Sequence, residues 1–132
     1  MKTGSNHLMS SGVPIRNSWT ELHLPTVGRN IARVRQCLAD PTEVVFVVKS
    51  NAYGHGMAAV SREAWDRGVH SFTVSHLFEA VLLRRLLPQA EIIVVGVLLA
   101  EDVQQEIETD AICLLVGEDH ARKLSEAAVK AG

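Results

Sequence analysis

The spacing of apolar side chains changes along the chain. "WTELHL" at residues 19–24 alternates apolar and polar positions, the period of a half-buried strand. Over residues 25–39, Val27, Ile31, Val34 and Leu38 recur at helical spacing, with Pro25 in the first turn and Asp40 and Pro41 at the end. "EVVFVVK" at 43–49 is a continuous β-branched run, the pattern of a strand buried on both faces. Helical spacing returns at 57–67 and stops at Gly68. "SFTV" at 71–74 reads as a short strand, and 77–87 as a helix ended by Pro88. "EIIVVG" at 91–96 is the next buried strand. Residues 100–108 form a short helix whose acidic start suits its dipole. "AICLLV" at 111–116 is the fourth strand, and 118–130 the last helix.

Strands alternating with helices predict right-handed crossovers and a parallel α/β sheet. Two architectures carry that pattern: an open doubly wound sheet, or part of a (β/α)8 barrel of the TIM type. Periodicity does not separate them. A whole barrel needs roughly 250 residues. The chain has 132, so its four strand-helix units make either a complete small open sheet or the first half of a barrel.

Composition narrows the class of partner. The chain is 47% hydrophobic and 21% charged with a net charge of −2, which fits a soluble globular protein and suggests neither a nucleic acid nor an anionic membrane. The longest apolar run, "IIVVGVLLA", is far shorter than the ~20 residues of a membrane span. Residues 1–18 are polar, without the apolar stretch of a secretory signal, and read as a flexible tail ahead of one domain at 19–132. The expected location is the cytoplasm. Cys37 and Cys113 lie among apolar residues and read as reduced, buried thiols. His7, His23, His70, His76 and His120 lack ligand spacing, so no metal site is expected. Glu101, Asp102, Glu106, Glu108 and Asp110 read as a solvated face, Arg84 and Arg85 as helix surface, and Trp19 and Trp65 as packing residues.

The candidate chemistry lies in "VVKSNAYGHG", residues 47–56. Parallel α/β sheets bind ligands at the carboxyl ends of their strands, and Lys49 ends an apolar strand. Apolar surroundings disfavour an ammonium ion, and the neutral amine is the form that attacks an aldehyde. Behind it come Tyr53, Gly54, His55 and Gly56, at the mouth of a helix. Glycines let backbone N–H groups approach an anion, a helix start favours one, and a tyrosine can donate to a phosphate oxygen. An aldehyde-reactive amine beside a phosphate cradle is what pyridoxal phosphate requires. Neither a P-loop nor the dinucleotide-binding glycine pattern is present.

The same stretch resembles the cofactor-attachment motif of the alanine racemases, V-V-K-A-[ND]-A-Y-G-H-G, with Ser50 in place of the common alanine. "SWTELHL", "RNIARVRQCL", "SFTVSHLFEAVLLR" and "EIIVVG" resemble the strands and helices around it, so the likeness runs from Trp19 to Gly96. Beyond that only the strand-helix rhythm agrees. The resemblance implies the first half of a (β/α)8 barrel, preceded by an N-terminal strand. It implies pyridoxal 5'-phosphate as cofactor and interconversion of L- and D-alanine, which supplies D-alanine for peptidoglycan. It makes Lys49 the residue that bonds to the cofactor and one of two acid/base groups. Tyr53 becomes the phosphate contact, and Val47 and Val95 apolar neighbours of the cofactor on adjoining strand ends. His55 is expected to be structural. The family's second base is a tyrosine of a C-terminal domain in the partner subunit of a homodimer, and its substrate arginines also lie later in the chain. The N-terminal part alone is therefore expected to be inactive. The alternative is a non-catalytic module of the same fold that keeps the cofactor site.

Overall fold

The computed structural model describes residues 20–99 and 101–132. Strands Val45–Val47 (β1), Ser71–Val74 (β2), Glu91–Val94 (β3) and Ile112–Cys113 (β4) form one sheet in the order β1-β2-β3-β4, and every neighbouring pair is parallel. Between and around them run Leu24–Gln36 (α1), the single turn Lys49–Tyr53 (α2), Met57–Asp66 (α3), Leu77–Leu86 (α4), Val103–Thr109 (α5) and Glu118–Ala131 (α6). The strand order separates the two architectures. A doubly wound sheet reverses its order at a switch point. A barrel lays each strand beside its predecessor, and right-handed crossovers then place the helices on one face. This sheet does the latter.

The register shows which face is which. Phe46, Phe72 and Ile92 align across β1, β2 and β3. Together with Val74 and Val94 they join the core that includes Val60 and Ala64 of α3 and Leu77, Ala80 and Leu83 of α4. Phe46 meets Phe72 edge to face at 6.4 Å between ring centres, a favoured aromatic geometry. The opposite face carries the row Val47, Thr73, Ile93 and Ile112. There Val45 and Val47 are each 43% exposed and Ile112 is 51% exposed. The sequence predicts that the run at 43–49 is buried on both faces, and this corrects it. A barrel interior is filled by side chains from strands all the way round; here the outer strands β1 and β4 lack that cover, while Thr73 of β2 between its neighbours is buried.

The N-terminal strand expected at 19–24 is also corrected. Residues 20–23 have no regular structure, and Leu24 already belongs to α1, whose first turn holds Pro25. Alternation marks a strand only if a neighbour completes its ladder. The described sheet pairs β1 with β2 alone, so these residues have no partner there. Proline's fixed φ suits a first helical turn instead. Trp19 and the expected tail at 1–18 lie outside the described residues.

Three polar expectations change as well. Cys37 is exposed, not buried. Arg84 is no simple surface residue: its guanidinium donates to the carbonyls of Pro88, Ala90, Thr109 and Asp110 at 2.6–3.0 Å. It thereby ties the end of α4 to the starts of β3 and β4. Glu106 is buried on α5, where its carboxyl meets Nε2 of the equally buried His120 of α6 at 3.0 Å. This pair leaves the solvated face that the acidic run suggested.

Cys113 lies beside Glu106, and its thiol is pushed up to about 12, first by burial and then by the charge and hydrogen bond of Glu106. At pH 8 only about one thiol in 10⁴ is then the reactive thiolate. Iodoacetamide at that pH is expected to modify Cys37 and spare Cys113, with Cys113 labelling climbing as the pH approaches 12. Equal rates at pH 8, read by peptide mass, would contradict this. The folded thiol also keeps its proton where an unfolded one loses it, so this group lowers stability as pH rises above about 9.

The carboxyl end of β3 is held close to β2. The Val95 N–H donates to the Val74 carbonyl at 3.0 Å. A Cβ on Gly96 would stand 1.9 Å from the Ser75 carbonyl oxygen, a backbone atom with little room to yield. Gly96→Ala is expected to lower stability by about 1–3 kcal/mol, the usual cost of forcing atoms into a packed site. Urea denaturation measures this, and an unchanged midpoint would show that the two strand ends can part freely.

Candidate active site

The ladder continues one residue beyond β1, where the N–H of buried Val48 donates to the Thr73 carbonyl at 2.9 Å. This stands Lys49 at the carboxyl end of the sheet beside β2. Lys49 is half-buried, and its amine makes no ion pair or hydrogen bond among the described residues. The chain then winds in the unusual direction. Ser50, Asn51, Ala52 and Tyr53 have φ of 53°, 55°, 53° and 54°, so α2 is one turn of left-handed helix built without glycine. Each such residue costs roughly 1–2 kcal/mol relative to the right-handed form. Strain of this kind persists only where neighbours over-determine it, and it concentrates at functional sites.

The neighbours here are specific. The Ala52 N–H donates to the Val48 carbonyl at 2.8 Å, and the Gly56 N–H to that of Asn51 at 2.9 Å. Oδ1 of Asn51 accepts the Met57 N–H at 2.8 Å and so serves the start of α3. Nδ1–H of His55 donates to the Ala52 carbonyl at 2.9 Å, the structural role expected of it. The Ala52 side chain is buried. Gly54 and Gly56, at φ 85° and 94°, lead the chain out of the left-handed turn, and a Cβ on either would meet nothing within 4 Å. The backbone is therefore open to approach at both positions. Tyr53, between the turn and these glycines, is 60% exposed.

Val47 precedes Lys49 by two residues on the open face of the sheet. Val95 lies two residues beyond Ile93, on the same face by alternation, and is 42% exposed. These two side chains are not on adjoining strands as expected, because β2 separates β1 from β3. The space between their strands is floored by the small side chain of Thr73. A cavity of about 380 Å³ lies elsewhere, at the amino ends of β1 and β2, lined by Glu43, Val44, His70 and Ser71 among others. Lys49 does not border it.

One residue at the site is not singled out by sequence reasoning. Glu79 on α4 is 4% exposed, and its carboxylate accepts N–H groups from Ser50 at 2.6 Å, Ser75 at 3.1 Å and His76 at 3.2 Å. A glutamate three residues into a helix is a capping signal, which could have drawn attention to it. The bond to Ser50, 29 residues away, has no local signature.

Fold and site together define the leading part of a parallel α/β barrel with an unpaired lysine at the carboxyl end of its first strand. The chain belongs to the alanine racemase family: the family described as alanine racemase, N-terminal domain, matches residues 22–132. It is 40% identical over 88 residues to the alanine racemase of Geobacillus kaustophilus (strain HTA426), covering 67% of this chain and 23% of that one. It is 34% identical over 112 residues to the alanine racemase of Syntrophobacter fumaroxidans (strain DSM 10017 / MPOB), covering 85% and 30%. Among solved structures, the Bacillus anthracis alanine racemase with bound L-Ala-P superposes with a TM-score of 0.72 at 27% identity, over 79% of this chain and 27% of that one. The Clostridium difficile 630 alanine racemase in complex with cycloserine gives 0.78 at 23% identity, over 83% and 29%, a likeness of fold. The chain thus spans less than a third of each of these proteins.

Proposed function

We propose that this chain is the cofactor-binding part of a pyridoxal-phosphate-dependent alanine racemase that works as a homodimer in its full-length form. The observation that carries the reading is the setting of Lys49, an amine without a partner at a strand end, followed by a strained turn and two open glycines. These residues fit the cofactor. Lys49 would bond its aldehyde carbon, the Tyr53 hydroxyl and the backbone around Gly54 and Gly56 would hold its phosphate, and Val47 and Val95 would give it apolar flanks. When bound, the cofactor withdraws electrons from the substrate's Cα–H bond and makes the proton removable. The Lys49 amine then takes or returns that proton on one face of Cα, and inversion requires a second group on the other face. A relative's structure with L-Ala-P supports a small amino acid as substrate.

The test is covalent. The chain is incubated with pyridoxal phosphate, reduced with borohydride and mapped by peptide mass. The label is expected on Lys49. Equal labelling of Lys2, Lys123 and Lys130 would show that Lys49 is an ordinary surface amine and overturn the reading.

A further inference from the structure

A buried carboxylate persists only where hydrogen bonds replace its water, and among the described residues the Glu79 carboxylate accepts from three backbone N–H groups. Two of them, Ser75 and His76, belong to the approach to α4. The third comes from a different part of the chain. The Ser50 N–H is half of the peptide group whose carbonyl belongs to Lys49. It also stands at the start of α2, where a helical turn leaves its first N–H groups without internal partners. Within α2 the first bond of the turn is the one from Ala52 to Val48, so Glu79 supplies what the turn cannot. One carboxylate therefore caps two turns of opposite hand and binds the end of β1 to the end of β2.

We propose that Glu79 is a positioning residue for Lys49. By fixing the peptide plane that follows Lys49, it holds the left-handed turn in place and sets the direction in which the lysine side chain leaves the strand. The proposal rests on the cofactor reading of Lys49 given above and goes beyond it, because it assigns a role to a residue that touches neither cofactor nor substrate. Glutamine has nearly the shape of glutamate but turns one acceptor into a donor, which would then face N–H groups.

The experiment compares the chain with Glu79→Gln and Glu79→Ala in two measurements. Amide hydrogen exchange at Ser50 reports the tether without any cofactor. Borohydride trapping of pyridoxal phosphate reports the lysine, with Lys123 and Lys130 of the same chain as internal references. In Glu79→Gln, Ser50 exchange is expected to rise at least ~10-fold while β3 amides stay protected, and trapping at Lys49 to fall ~10-fold while the reference lysines are unchanged. A role confined to stability would instead raise exchange throughout. General loss of protection, unchanged Ser50 exchange, or Lys49 trapping within threefold of the parent overturns the proposal. If Glu79→Ala fails to fold, the glutamine variant decides. If the parent itself is not trapped at Lys49, the cofactor reading falls first and the proposal falls with it.

Discussion

With added pyridoxal phosphate, the 132-residue chain is expected to form D-alanine from L-alanine no faster than its own Lys49→Ala variant. Inversion needs acid/base groups on opposite faces of Cα, and Lys49 is proposed to serve one. The chain has a single tyrosine, Tyr53, proposed to serve the phosphate and placed on the same turn as the lysine. A second copy of the chain would bring the same committed tyrosine. His55 is tied through its Nδ1–H to the Ala52 carbonyl, in the same turn that follows Lys49. Cys113 faces the helices rather than the open side of the sheet, and its thiol is pushed up to about 12. A missing acid/base group costs ~10²–10⁴-fold, and the substrate-positioning groups that the family resemblance implies lie elsewhere would add to that. Turnover near ~1 s⁻¹, inside the ordinary enzyme range, and lost in Lys49→Ala, would show that a second base is present after all.

The largest expected effect on stability lies far from the lysine. His120→Ala leaves the carboxyl of Glu106 buried between α5 and α6 without its imidazole partner, with only the Cys113 thiol beside it. Breaking a buried pair from one side costs about 3–5 kcal/mol. That is a large share of the ~5–15 kcal/mol typical of a domain, so the urea midpoint should fall steeply. Replacing both residues, Glu106→Leu with His120→Leu, is expected to recover most of the loss, because the buried carboxyl is removed together with its partner. A double variant as unstable as the single one would show that shape, not pairing, governs this contact.

The strand and helix sequence is legible because the strands are short apolar runs, β-branched at 43–49 and 91–96, and the helices between them repeat at their own period. The ends are less so: the runs at 91–96 and 111–116 pair only over Glu91–Val94 and Ile112–Cys113, since apolar character continues after the ladder stops. Residues 19–24 misled because alternation says nothing about whether a partner strand exists. Val45 and Val47 misled because a β-branched run looks the same whether or not its second face is covered. At the site, Lys49 stands out as a cation closing an apolar run. The handedness of the following turn does not, because left-handed backbone is usually announced by glycine and residues 50–53 contain none. Glu106 resembles its acidic neighbours until folding brings His120 to it. Glu79 likewise looks like any early helix carboxylate until β1 and β2 come together.

The sequential strand order bears on how the molecule comes into being. Register partners Val45 and Ser71, Ser71 and Glu91, and Ile93 and Ile112 are separated by roughly 19–26 residues. Each pairing closes a loop of about the same modest length, and loop-closure entropy grows only slowly with length. Contacts so near in the chain give a low contact order, the condition associated with rapid folding. Because each new strand needs only the one before it, the sheet can grow in the direction of synthesis, with β1 and β2 already joined while β4 is still emerging from the ribosome. Lys49 and the turn behind it lie in the first unit to close, so the amine's surroundings are assembled early in the life of the chain.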